Sequence, residues 1–185
     1  MRMEVHVHGT VQLRAGVKPV EIDEALRPWF EYLDIDTLEE AKSIHHDEPG
    51  VLYDTRSRVL EICWSGDVGR GFKSRIEPAL RGLCPLSEAA AEIEVTYYDD
   101  DGNDEANIVF VGPTEAAIHE AQRRRMIEDV TALLQRHFDE ASIAQVIAVV
   151  DDLFAKDWLK RGETESAEIT PTDTPPSRPS RKHLH

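Results

Sequence analysis

The chain has 185 residues, 41% hydrophobic and 31% charged, with 36 acidic against 21 basic side chains for a formal net charge of −15. That length suits one domain with an appendage. The acidic surplus argues against binding duplex nucleic acid or docking on an anionic membrane, because both need a dense cationic face. No apolar run approaches the roughly 18 residues of a membrane helix, and the N-terminus lacks a secretory pattern. Two cysteines, Cys63 and Cys84, make no disulfide framework.

In chain order, Glu4 to Leu13 alternates with period two. Val5, Val7, Val11 and Leu13 share one parity, and His6, His8, Thr10 and Gln12 the other, which predicts a strand with one buried face. Gly9 holds the apolar parity without a side chain and marks a bulge or a close backbone approach. Val20 to Leu33 carries a helical stripe of Ile22, Ala25, Leu26, Trp29, Phe30 and Leu33, broken near Arg27 by Pro28. A helical turn is expected around Thr37 to Ser43. Val51–Tyr53 and Arg58–Trp64 form a hairpin. The segment Ser65–Gly71 reads as a glycine-rich connection, followed by a helix from Phe72 to Leu83 interrupted by Pro78.

Glu92–Tyr98 and Asn107–Val111 predict a second strand pair around the turn Asp99–Asp104. Thr114 is a fitting N-cap, with Glu115 at the positive end of the helix that follows. Two helices are expected next, Glu115 to Phe138 and Ser142 to Lys160, the second opened by a capping box at Ser142–Gln145. The short link between them favours an antiparallel pair. Gly162–His185 is poor in large apolar groups and reads as a disordered tail. The sum is an α+β domain over residues 1–161: sheet and covering helices to 112, the helical pair from 113. Its strand-helix-strand-strand-helix-strand core is a ferredoxin-like arrangement with an added strand and helices on one face.

Few constellations carry chemistry. His6 and His8, two apart on a strand, project to one face, and His45, His46, Asp47 and Glu48 add ligands from a loop, a candidate metal site of zinc type. Adjacent histidines diverge in extended backbone, and neither H-E-x-x-H nor C-x-x-C occurs. The Asp99–Glu105 turn fails the calcium-loop pattern, since its glycine is fourth and its twelfth position is Phe110. Gly66–Gly71 with Arg70 and Lys73 lacks phosphate-loop spacing. Arg123–Arg125 spread around a helix and should pair with Glu120, Glu128 or Asp129.

The reading is a small acidic cytoplasmic protein of bacterial or phage type. It is expected to be a non-enzymatic interaction or regulatory module without cofactor, bound to a protein partner or to itself. The terminal helix, widened by Val149 and Trp158, carries more apolar surface than one neighbour covers. The alternatives are a metal-dependent enzyme using His6 and His8 with His45 or His46 and Asp47 or Glu48 of the loop, and an acidic mimic of DNA.

Overall fold

The alternation in the first strand places its valines against a core of helices, and the sheet grows outward from that strand. In the computed structural model, which describes residues 3–98 and 104–168, five strands form: β1 (Met3–Gln12), β2 (Gly50–Asp54), β3 (Val59–Val68), β4 (Ala91–Tyr98) and β5 (Glu105–Val111). They lie in the order β2-β3-β1-β4-β5, and every neighbouring pair is antiparallel. The connection from β1 to β2 steps over β3, and that from β3 to β4 steps over β1. The fold is α+β.

Five helices form among the described residues: α1 (Pro19–Ala25), α2 (Arg27–Leu33), α3 (Lys73–Arg81), α4 (Glu115–Leu134) and α5 (Glu140–Glu168). Pro28 splits the expected first helix as predicted, since a proline lacking its N–H fits the first turn of α2. Pro78 stays inside α3. The turn expected near Thr37 is a single 3-10 turn at Leu38–Glu40.

One sheet face is apolar throughout. Val5, Val7, Val11, Leu60, Ile62, Trp64, Ile93, Val95 and Val111 are buried with Ile22, Leu26, Trp29, Phe30, Ile76 and Leu80 of α1–α3. Gly9 meets the expectation of close approach: a Cβ there would lie 2.8 Å from the Glu92 carbonyl oxygen of β4.

Several boundaries differ from expectation, among them the end of α4, at Leu134 rather than Phe138. Ser65–Val68 is strand rather than connection, because β1 pairs with β3 along its whole length, from Met3 opposite Val68 to Gln12 opposite Val59. The cap of α5 is Asp139, whose carboxylate accepts the Ser142 N–H at 2.8 Å, so the helix starts before the expected capping box. The same helix continues to Glu168, past the expected start of the tail. The rest of that tail, and most of the Asp99–Asp104 turn, lie outside the described residues.

The chain divides into two compact units, Met1–Ala132 and Leu133 onward, so most of α4 belongs with the sheet. Thr114 caps α4 by accepting the Ala117 N–H at 3.1 Å, and Ile118, His119 and Ala121 are buried. Arg123 pairs with Glu120, while Arg125 pairs with Asp129 and reaches Glu92 on the sheet face opposite α1–α3. Helical side chains therefore approach both faces, not one.

Tyr97 of β4 lies at the edge of the core, with Lys73 Nζ 5.5 Å from its ring centroid. Burial, helped by the charges of Glu105 and Glu77, pushes its phenol up to about 12. The unfolded chain releases that proton near pH 10. Between about pH 10 and 12 the unfolded state therefore binds fewer protons, and stability falls as pH rises. Alkaline urea titrations should show this slope, and Tyr97→Phe should remove it; an unchanged slope would place the effect elsewhere.

Candidate functional site

The sheet face opposite the core carries the polar parity of β1 and β3. His6, His8 and Thr10 lie beside Glu61, Cys63 and Ser65, with His6 opposite Ser65 and His8 opposite Cys63. Side chains on one face of an antiparallel pair sit within contact of their opposite and diagonal neighbours. His6 and Cys63, 57 positions apart in sequence, are thus made diagonal neighbours by register alone.

The loop between Ala41 and Gly50 crosses this face. β2 ends its pairing with β3 at Cys63, and the loop takes over beyond it. The Ile44 N–H donates to the Ser65 carbonyl at 3.0 Å, and the Ser65 N–H donates to Ser43 Oγ at 3.0 Å. The Trp64 indole N–H donates to the Lys42 carbonyl at 3.0 Å. These bonds deliver Glu48 to the face. Its carboxylate accepts hydrogen bonds from Ser43 Oγ and, at 3.1 Å, from Ser65 Oγ.

His6 Nε2 lies 3.5 Å from Glu48 Oε1, and one ligand atom each from His6, Glu48 and Cys63 falls within 4.8 Å of the others. His6 Nε2 is shielded from solvent and has no hydrogen-bond partner. Burial alone would raise the Glu48 carboxyl, but the two serine hydroxyls outweigh it and, with His6 and His45, hold it below the usual carboxylate range. Burial and the negative charges of Glu48, Glu61 and Asp47 push the Cys63 thiol up. That environment keeps the thiol protonated, which opposes a role as a free nucleophile.

The histidines expected to converge do so only in part. His8 is exposed, its ring 6.0 Å from that of His6. His45 turns to Glu4, with Nε2 3.0 Å from Oε1, and this hydrogen bond raises its pKa. His46 and Asp47 are exposed in the loop. Cys63 takes the place that spacing alone gave to His8 or His45. The signal for it was its parity with Glu61 on the outer face of its strand, which becomes informative once β1 is paired with β3.

Lys73 at the start of α3 is ion-paired with Glu105 at 2.5 Å, and Arg70 and Lys73 border a cleft of about 230 Å³ shared with Tyr97 and Glu105.

The fold and this face define an α+β domain with a polar, histidine-bearing sheet surface. The chain belongs to a family of unknown function, DUF6806, whose match covers residues 3–155 and so includes β1 through most of α5. No curated protein and no solved structure matches it.

Proposed function

We propose that the protein is a non-enzymatic interaction module that associates with a second copy of itself through α5. The observation that carries this is a row of exposed apolar side chains, Val146, Val149 and Leu153, at 39%, 58% and 59% exposure. They recur at helical spacing of three and four and flank a second row, Ile147, Val150 and Phe154, that is half-buried. At 100° per residue the two rows together span an arc of about 160°, wider than the stripe of about 100° that a helix lays on one neighbour. An apolar row of this kind is stabilised by removal from water.

Charge is nearly balanced along the stretch of α5 that carries these rows. From Glu140 to Arg161, Lys156, Lys160 and Arg161 stand against Glu140, Asp151, Asp152 and Asp157, a sum of 3 − 4 = −1. Lys156 pairs with Asp152, and Arg161 with Asp157, within the helix. The rest of α5 adds Glu163, Glu165 and Glu168 without a base, so the helix to Glu168 sums to 3 − 7 = −4, and its association should strengthen as salt screens that charge.

Light scattering on the full chain should give a mass at least twice 20.9 kDa at micromolar concentration. Val149→Glu with Leu153→Glu should reduce it to the monomer while far-ultraviolet circular dichroism keeps its helical signal. A wild-type chain that stays monomeric at high concentration, or a charged variant that still associates, overturns the reading.

A further inference from the structure

We propose that His6, Glu48 and Cys63 form a binding site for a divalent ion of the zinc class. Three segments distant in sequence, β1, the loop before β2, and β3, each contribute one side chain, and their ligand atoms lie within 4.8 Å of one another. Zinc bonds of about 2.0–2.3 Å in tetrahedral geometry set neighbouring ligand atoms about 3.3–3.8 Å apart. Closing to that spacing takes side-chain adjustments of about 1 Å, without moving the strands. His6 Nε2 is enclosed and makes no hydrogen bond, with Glu48 Oε1 3.5 Å away as an ion-pair contact only when the ring is protonated; a neutral ring there is fully satisfied only when something accepts its lone pair or its proton. A metal ion does the first.

The donor set selects the ion. One sulfur, one imidazole nitrogen and one carboxylate suit zinc, cobalt or nickel, whereas calcium and magnesium take oxygen ligands. Glu48 is already fixed by Ser43 and Ser65, the outer support that orients a ligating carboxylate. Glu4, Asp47 and Glu61 lie on or beside the same face, and their charges favour a cation there. Three protein ligands leave a fourth position for water or for a group of a partner.

The test is a titration of tag-free, reduced full-length chain with cobalt(II), followed by zinc(II). The expected result is a cysteinate-to-cobalt charge-transfer band in the near ultraviolet that saturates at one ion per chain and disappears as zinc displaces cobalt. Zinc should raise the melting temperature, and chelator should reverse the rise. Cys63→Ser and Cys63→Ala should lack the band, while Cys84→Ser should retain it, as should a chain with His183→Ala and His185→Ala. His6→Gln and Glu48→Gln should each weaken cobalt binding by at least the 10–100-fold typical of removing an outer-shell partner. No band in the wild-type chain at excess cobalt, or a band that survives in both Cys63 variants, overturns the proposal. So does a band lost in Cys84→Ser. None of these readouts depends on the oligomeric state, so the site and the association stand or fall separately.

Discussion

Replacing Trp29 with alanine is expected to cost about 3–5 kcal/mol of folding stability, the usual penalty for emptying a large aromatic position in a core. Trp29 is fully buried on α2. Its ring meets Trp64 of β3 edge-on at 5.2 Å, and Trp64 stacks on Phe72 at 5.8 Å, which in turn contacts Tyr32 at 5.4 Å. The indole thus ties α2 to the sheet and to the start of α3. Its Nε1 is buried without a hydrogen-bond partner. Phenylalanine at the same position removes that unpaired donor, which recovers about 1–3 kcal/mol of desolvation cost and offsets the lost ring volume. Urea denaturation should therefore separate the two variants clearly, with Trp29→Phe near the parent and Trp29→Ala far below it. Equal losses would mean that the indole N–H is satisfied in solution.

The second large effect is expected at Gly50. This residue has φ +82°, and a Cβ there would lie 2.2 Å from the Ala41 carbonyl oxygen. Gly50→Ala must therefore adopt a backbone conformation that L-residues rarely take and also push away a carbonyl. The strain alone is worth about 1–3 kcal/mol. The displaced carbonyl accepts the Val51 N–H at 3.2 Å, so the pinch that closes the loop between Ala41 and Gly50 opens. That loop carries Ser43 and Glu48 onto the sheet face. Hydrogen exchange should show lost protection at the Ile44 and Ser65 amides, which bond across the loop, while amides of β1 paired to β4 stay protected. Retained protection at Ile44 would show that the loop is held independently of Gly50.

The two effects differ in what they disturb. Trp29 acts through packing density, so its loss lowers the stability of the unit as a whole. Gly50 acts through backbone geometry at one turn, so its loss falls most heavily on the polar face. Loss of cobalt binding in Gly50→Ala with a largely intact sheet would link the turn to the His6, Glu48 and Cys63 cluster.

Local pattern was enough for much of the architecture. Parity in β1 separated Val5, Val7 and Val11 from His6, His8 and Thr10 because successive strand residues face opposite ways whatever the neighbours are. Pro28 marked the division between α1 and α2, and Thr114 the start of α4, since a missing N–H and a capping hydroxyl act within one turn. The same local logic placed both C-terminal helices.

Where strand ends and partners depended on pairing, local pattern fell short. Ser65–Val68 resembles a glycine-rich connection, yet it is strand because β1 runs beside it and satisfies its backbone. Asp139 took the cap of α5 ahead of Ser142, a choice between two competent oxygens that sequence leaves open.

The sequence by itself determined the element types, the buried parity of β1, β3 and β4 and the polar identity of the opposite face, because these follow from periodicity along a single segment. Only the tertiary structure decided that Cys63 and Glu48, and not His8, His45 or His46, gather at His6. That choice rests on the β1–β3 register and on a loop folded over the sheet, and both are contacts between residues far apart in the chain.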